Sequence, residues 1–505
     1  MKILTAPQIR EADQQTIQEE RIASVDLMER AAKAFVNWFD NKFKEEAARI
    51  LVCCGPGNNG GDGLAIARLL FQKHYAVQVW IVAPESARFS SDFIINQERL
   101  PQDIQVSNIS DYNPLPEVPA VDFIIDGLFG TGLSRPVTGL FAEVISSINK
   151  ASATKIAIDT PSGLFTEVPN QPTDIIIQAA YTVSFELPKL TFFLPQNFIY
   201  VGEWQTVPIG LSTSYIKHAL TDNFVISGNQ VAGYIKPRTK FSHKGTYGHA
   251  LLMAGSYGKM GAAILASRAC LRSGVGLLTI QCPKTGYAIL QTAVPEAMTL
   301  PDSNKTCLTE LPDIDKYQVI GIGPGLDKRA ETKAVVRQLL HKVSFPIVLD
   351  ADALNILSEE KELLQQLPAA SILTPHPKEF ERLVGKAEND YQRLEQLKTF
   401  CQQYKCYVVL KGGHTCIGTP TGELYFNCTG NPGMATGGTG DVLTGIITAL
   451  LAQKYSSLEA CLLGVYIHGL AGDIASQEKG EFALVASDVI EYLGKAFLQL
   501  QPDKK

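Results

Sequence analysis

No cluster of lysine and arginine with interleaved aromatics occurs in this chain, and its formal net charge is −6. A protein that coats nucleic acid needs the opposite balance, so nucleic acid is not an expected partner. No continuous apolar run reaches the length of a bilayer span; Val442 to Ala452 is too short and reads as a buried helix. No membrane partner is expected either. Met1 to Pro7 carries neither an apolar targeting core nor a cleavage site, so secretion is not expected and the cytoplasm is the expected location. The 10 cysteines are scattered, with no paired metal spacing. Cys53-Cys54 lie in an apparent strand, and Cys401 and Cys406 lack a second pair. Reduced structural thiols are expected, and a zinc site is not. There is no internal repeat and no low-complexity tract; Gln501 to Lys505 reads as a loose tail.

What is present points to a multi-domain globular protein. A chain of 505 residues exceeds one ordinary core. With 45% apolar and 19% charged residues it has the balance of a folded globular protein. Two α/β stretches are legible. In the first, helices over Ala6 to Glu19 and Ser24 to Lys42 precede a strand at Arg49 to Cys54, with Ser24 and Asp26 as candidate caps. A helix over Gly61 to Lys73 follows, then strands at Val77 to Val82, Val121 to Ile125 and Lys155 to Ile158, with a helix over Leu140 to Asn149. This alternation predicts a mostly parallel sheet with helices on both faces. Regularity lapses over Leu211 to Arg238, which reads as a junction. The pattern restarts with strands at His249 to Ala254, Leu277 to Cys282, Tyr317 to Ile322, Phe345 to Leu349, Ser371 to Thr374 and Tyr407 to Leu410. Helices are expected over Met260 to Arg272, Asp441 to Gln453 and Leu458 to Gln477.

The most informative stretch is Asn431-Pro432-Gly433-Met434-Ala435-Thr436-Gly437-Gly438-Thr439-Gly440-Asp441, followed by the apolar run from Val442. A glycine-rich turn that opens a helix aims backbone N–H groups and the positive end of the helix dipole at one point. That point suits a phosphate. Asp441 falls in the first helical turn, where a carboxylate can take a proton from a hydroxyl as a phosphoryl group is transferred to it. No Lys-Ser or Lys-Thr follows the glycines, so this is not a Walker A loop. A plain capping turn remains the alternative for the motif taken alone.

The first stretch holds Gly55-Pro56-Gly57-Asn58-Asn59-Gly60-Gly61-Asp62-Gly63 after its first strand. Gly55, Gly57 and Gly60 satisfy GxGxxG in a strand–turn–helix context, which keeps a Rossmann oxidoreductase open. The expected acid about 20 positions on is poorly met by Glu85, and Asn58, Asn59 and Asp62 put polar side chains where a pyrophosphate loop wants bare backbone. Such side chains suit a polar ligand or ion; left-handed turn positions for the asparagines are the other reading. Two more strand ends carry acids, Asp126 before the loop Phe129 to Pro136, and Asp159 before Thr160-Pro161-Ser162-Gly163. Ligands of open parallel sheets bind at strand carboxyl ends, so these three ends predict one site.

Each half resembles a known family. From about residue 225 to the end, the GTGD segment, His243 to His249, Gly255-Ser256, Gly323-Pro324-Gly325, Asp350 to Leu354, Thr374 to Pro377 and Lys411 to Thr415 resemble the ADP/ATP-dependent NAD(P)H-hydrate dehydratases, which are similar in fold to ribokinase-like small-molecule kinases. From about residue 5 to 210, Arg10 to Asp13, Leu27 to Ala31, the NNGGD turn, the FGTGL loop and the IDTPSG block resemble the NAD(P)H-hydrate epimerase fold often called YjeF-N. Joined, they resemble the bifunctional NAD(P)H-hydrate repair enzymes. The resemblance implies an α/β chain of two domains, a Rossmann-like three-layer sandwich over 1–212 and a ribokinase-like domain over 225–505.

The same resemblance supplies site residues. The hydrated nucleotide in the first domain would contact Asn58, Asn59, Gly60, Gly61, Asp62, Gly130, Thr131, Gly132, Leu133, Ser134, Arg135, Pro136 and Asp159, with Asp159 also the general acid/base. Potassium would lie on Asn59, Asp126 and Ser162, an all-oxygen set that suits a hard cation. Other members have lysine after the FG of the loop, where Ser134-Arg135 stands here. In the second domain, Ala262, Gly325, His376 and Asp441 would face the hydrate, with Asp441 as base. Lys411, Gly412, Gly413, His414, Thr415 and Gly440 would hold the AMP moiety of ADP. Magnesium is expected with the nucleotide; Asp350 and Asp352 either bind it or cap the next helix. The partners are then small molecules, NAD(P)H hydrate and ADP, in an expected homo-oligomer. A ribokinase-like sugar or vitamin kinase with a nucleotide-binding N-terminal domain explains the second half equally well, and a non-catalytic binding protein is the non-enzyme option.

Overall fold

The structure is a computed structural model that describes residues 1–43, 48–112 and 114–501; part of the expected loose tail, 502–505, lies outside the described residues. Two compact bodies result, one of residues 2–221 with 389–391, the other of residue 1 with 222–388 and 392–505.

The first body is built on seven parallel strands, β1 (Arg49–Cys54), β2 (Ala76–Val82), β3 (Gln105–Ile109), β4 (Phe123–Gly127), β5 (Thr154–Ile158), β6 (Tyr181–Phe185) and β7 (Glu203–Val207), in the order β3-β2-β1-β4-β5-β6-β7. The run Ile50 to Cys54 is apolar throughout because helices cover both faces of its sheet. Ile50, Val52 and Cys54 pack with Phe35, Phe39 and Leu64 on one side. Leu51 and Cys53 pack with Val144, Ile145 and Ile148 on the other. Strand order reverses between β1 and β4, which opens a crevice at their carboxyl ends.

Helices Ala6–Glu20 and Ser24–Phe43 precede β1 as expected. A Thr5–Gln8 capping box starts the first. In the second, Asp26 accepts from the Ala23 N–H at 3.1 Å, but Ser24 is not a cap. It lies inside the helix and donates its hydroxyl to Asp92 at 2.5 Å. The helix after β1 runs Asn58–Gln72, starting earlier than the expected Gly61. Asn58 and Asn59 therefore belong to its first turn, and neither has a positive φ, so the left-handed reading of these asparagines fails.

The second body holds ten strands, β8 (Asn223–Val225), β9 (His249–Met253), β10 (Leu277–Cys282), β11 (Met298–Pro301), β12 (Val319–Ile322), β13 (Val348–Leu349), β14 (Ile372–Leu373), β15 (Tyr407–Leu410), β16 (Cys416–Gly418) and β17 (Leu424–Phe426). Their order is β11-β10-β9-β12-β13-β14-β15-β16-β17-β8, parallel except for the pairs β15–β16 and β16–β17. The stretch expected as an irregular junction instead carries helix Thr213–His218, β8 and helix Gly228–Ala232, and β8 forms a sheet edge beside β17. A strand of 3 residues is too short to print a period on the sequence.

Helix Ser457–Lys479 is long and apolar enough to cross a bilayer by length and composition, which the count of continuous apolar residues missed because Glu459 and Asp473 interrupt it. Its most apolar window is 61% buried inside this body. There it packs with helices Thr439–Ala452 and Ala486–Leu500 in one apolar cluster.

Candidate active sites

The crevice of the first body is a cleft of about 750 Å³. Its sheet side is Pro56 to Asn59, Asp62, Leu128 to Arg135 and Asp159; Ile9, Arg10, Asp13 and Gln14 of the first helix form a facing wall. Three of the expected contact residues are not on its lining. Gly60 and Gly61 are packing positions: a Cβ on Gly60 would stand 1.8 Å from the Gly55 carbonyl, and one on Gly61 would stand 2.9 Å from Met28 Sδ. Pro136 is exposed beyond the end of the lining loop.

Asp159 follows β5 with φ +62°, a left-handed conformation uncommon for a non-glycine residue. Its N–H donates to Val183 O at 2.8 Å. Its Oδ1 accepts from the Phe185 N–H at 3.2 Å and from the Lys189 ammonium. Lys189, 1% exposed, also donates to Ser184 Oγ at 2.6 Å and Leu187 O at 3.3 Å. Sequence reasoning missed Lys189. The available signal was a lysine set within the mostly apolar stretch Leu187 to Leu194, where a charge persists only with a partner. Asp13 was missed too. Burial first, then the nearby Asp159 carboxylate, pushes its pKa up to about 7, against the opposing pull of Lys189. Asp62 is pushed well up by burial and by Asp159, Asp13 and Asp92.

Asp126 lies in β4 and is fully buried. Its Oδ1 accepts from the Ser162 hydroxyl at 2.6 Å and the Leu128 N–H at 3.2 Å; Oδ2 accepts from the Ser162 N–H at 2.8 Å. Burial raises its pKa to about 6 despite those bonds, and no cationic side chain pairs with it among the described residues. Asn59 presses its amide under Gly130, and its buried Nδ2 has no partner among the described residues. The described residues contain no group of three or more His, Cys, Asp or Glu placed to hold a metal.

In the second body the candidate site follows the carboxyl ends of β9, β12, β13, β14 and β15. Helix Thr439–Ala452 starts at Gly438, whose φ of +96° is the left-handed value that a side chain resists. This turn aims the N–H groups of Thr439, Gly440 and Asp441 outward, unsatisfied by the helix itself. The Thr439 hydroxyl braces the loop on Met434 O and Thr436 O, each at 3.1 Å. Half-buried His468, unforeseen from sequence, contacts Thr439 O through Nε2 at 3.0 Å; desolvation drops its pKa to about 4, so the ring is neutral and donates that bond. Burial, Asp350 and Asp352 raise Asp441 to about 7, with Lys411 pulling the other way.

Lys411 directly follows β15 and pairs with Asp350 at 3.0 Å. Burial works against its charge, but Asp350, Glu379 and Asp441 outweigh it and hold its pKa above the usual lysine value. A Cβ on Gly440 would lie 3.2 Å from Lys411 Nζ, so ammonium and cradle adjoin. Gly412 to Thr415 form the turn into β16, with the Gly412 N–H on Thr415 Oγ1 at 3.4 Å. Burial lowers the His414 pKa. The Lys411 N–H donates to Pro375 O at 2.9 Å, which ties this turn to His376. His376 caps helix Pro377–Val384: its Nδ1 accepts from Lys378 N at 3.1 Å and Glu379 N at 3.4 Å. Burial, chiefly, lowers its pKa, so the neutral ring carries its proton on Nε2.

A Cβ on Gly325 would stand 3.1 Å from that of Ala262, so these two expected residues form one wall. Asp350 precedes helix Ala351–Glu359 without capping it through its side chain. Its second oxygen instead accepts from Thr444 Oγ1 at 2.7 Å. Asp352 accepts from Lys259 Nζ at 3.2 Å and Asp327 N at 2.9 Å.

Comparison with known proteins matches both halves. The profile of YjeF-related protein N-termini covers residues 24–191, and that of NAD(P)H-hydrate dehydratase covers residues 250–495. A bifunctional NAD(P)H-hydrate repair enzyme of Moorella thermoacetica is 35% identical over 100% of this chain and 98% of its own length. One of Coxiella burnetii is 34% identical over 96% of this chain and 97% of its own length. Among solved structures, an ADP/ATP-dependent NAD(P)H-hydrate dehydratase from Bacillus subtilis is 32% identical, covers 55% of this chain and 99% of its own, and superposes with a TM-score of 0.49. With both domain profiles in order and end-to-end similarity at this identity, the chain belongs to the family of bifunctional NAD(P)H-hydrate repair enzymes.

Proposed function

We propose that the first body interconverts the R and S forms of hydrated NADH and NADPH, and that the second returns the S form to NAD(P)H at the expense of ADP. The hydrate carries a hydroxyl on C6 of the reduced ring. In the second body Asp441 draws the hydroxyl proton, and oxygen attacks the β-phosphoryl of ADP, releasing AMP. The N–H groups at Thr439 to Asp441 and the Lys411 ammonium stabilise the charge that develops on the phosphoryl oxygens. The ring nitrogen then expels phosphate, and loss of a C5 proton restores the double bond. Neutral His376 offers its Nε2–H to the hydrate, with Ala262 and Gly325 as the wall; Gly412 to Thr415 hold the AMP moiety. The observation that carries this reading is Asp441, held near neutrality beside a phosphate cradle and a paired lysine.

In the first body, loss and return of the C6 oxygen inverts the ring carbon, with Asp159 as general acid/base and Asn58, Asn59, Asp62 and the loop Gly130 to Arg135 around the nucleotide. Potassium fits Asn59, Asp126 and Ser162: the buried Asp126 carboxylate has no cationic partner among the described residues, and the Asn59 amide oxygen and the Ser162 hydroxyl would add neutral oxygen ligands. When bound it would offset the Asp126 charge. For magnesium, Asp350 and Asp352 are already engaged by Lys411, Thr444, Lys259 and the Asp327 N–H. They do not form a free carboxylate pair, so magnesium would ride on the nucleotide phosphates. We further place the reaction in the cytoplasm, in a homo-oligomer. A kinase reading leaves the first cleft without a role.

Mixed R and S NADH hydrate supplied with ADP, followed at the reduced-nicotinamide absorbance, tests both activities. Full recovery is expected. Asp441→Ala should block all recovery, and Asp159→Ala should limit it to one epimer. No recovery by the wild-type protein would sink the proposal.

A further inference from the structure

Epimerisation by loss and return of an oxygen needs two proton transfers. A proton must reach the departing C6 oxygen, and a proton must leave the water that adds to the opposite face. One carboxylate does not serve both faces of a ring at once. Asp159 is tied down: Lys189 and the Phe185 N–H both engage its Oδ1. Its other oxygen, Oδ2, has no donor among the described residues and can accept a proton.

A second group is present. Asp13 comes from the helix wall of the same cleft that Asp159 lines from a strand end. It lies near enough to Asp159 and Lys189 for both charges to act on it. No hydrogen bond or ion pair holds its carboxyl among the described residues. Asp62, from the helix after β1, lines the same cleft, and no hydrogen bond or ion pair holds its carboxyl among the described residues. Half-buried Asn59 is on the same lining, and its Nδ2 has no partner among the described residues. Unused polar groups on one surface mark the place of a polar ligand. The other charges on the lining are Arg10, Arg88 and Arg135, all exposed, where the phosphates of a dinucleotide would be met.

We propose that Asp13 is the second catalytic carboxyl of the epimerisation, giving its proton to the C6 oxygen as the C6–O bond breaks. The inference rests on the epimerase reading of this cleft. The bonding electrons leave with oxygen, water forms, and the ring nitrogen lone pair makes the C6=N1 iminium. Water then adds to the other face, its oxygen bonds C6, and Asp159 takes the released proton. Transfer of that proton through the departed water to Asp13 restores the site. Burial and the neighbouring carboxylates push Asp62 towards its neutral form, which limits the negative charge around the pair. Burial and Asp159 hold Asp13 at about 7, near the optimum for a general acid at neutral pH.

The test uses the full chain with R hydrate as substrate, and chromatography separates R from S. Wild-type epimerisation in ¹⁸O water should place solvent oxygen on C6 at each inversion, and its rate should fall as pH rises through about 7. Asp13→Asn should slow epimerisation about a hundred-fold, abolish that alkaline limb, and leave ADP-driven dehydration of S hydrate intact, which reports folding of the chain. Asp13→Glu should recover part of the rate and the limb. An Asp13→Asn protein with the wild-type rate or an unchanged limb overturns the assignment, as does inversion without solvent oxygen. A wild-type protein that leaves R hydrate untouched overturns the epimerase reading instead.

Discussion

Lys411 directs its ammonium at Asp350, 3.0 Å away, although Asp441 also acts on its charge. Asp350 is 2% exposed at its side chain and shares its other oxygen with Thr444. The pair therefore fixes where the positive charge stands relative to the cradle at Gly440. Asp350→Ala should leave that lysine largely desolvated and unpaired, costing about 3 kcal/mol of stability in urea titrations. Asp350→Asn should cost less and retain the fold, while raising KM for ADP.

With Asp441 as the proposed base, the acid limb of dehydration should follow its titration. A base must be ionised, so the rate should climb as pH rises through about 7. Asp350→Asn removes one of the charges that raise Asp441 and should move the limb to lower pH. The stability sign is opposite. A carboxyl whose folded pKa lies above its unfolded one is favoured protonated, so stability is full below the unfolded pKa and declines as pH rises towards about 7. Asp441→Asn should accordingly melt higher than wild type at pH 8, by an amount of the order of 2 kcal/mol.

Much of this was legible in the sequence, and the parts that were not share a cause. The strands Leu277–Cys282 and Tyr407–Leu410 and the helix Met260–Arg272 fall where their patterns placed them. The glycine turn that opens helix Thr439–Ala452 could be read because glycine, an acid and a following apolar run are local signals. Lys189, Asp13 and His468 could not be read that way. Each matters through a partner far along the chain, 30 residues away for Lys189 with Asp159 and 29 for His468 with Thr439. The Asn58 boundary was misplaced because Gly60 and Gly61 look like a turn in one dimension. Their absent side chains instead admit Gly55 and Met28 against a helix.

Potassium dependence should track Asp126. Replacing potassium by a bulky monovalent cation should lower the melting temperature and slow epimerisation in the wild type. Asp126→Asn should abolish both responses, because the buried charge that needs an ion is gone. Identical cation responses in the two proteins would remove potassium from this site.

Gly438→Ala should damage the cradle before it damages the core. The left-handed backbone costs about 1–2 kcal/mol with a Cβ, and that atom would stand 2.4 Å from Leu265 Cδ1. Isothermal titration should show weaker ADP binding, with R-to-S conversion unchanged.

The same helix meets its neighbour at bare backbone: a Cβ at Gly445 would sit 2.1 Å from the Ala266 carbonyl. The element bearing Asp441 and the one bearing Ala262 are thereby keyed together one turn below the chemistry. At this contact neither helix has room to slide on the other, so a side chain at Gly445 would push apart the two walls that carry Asp441 and Ala262.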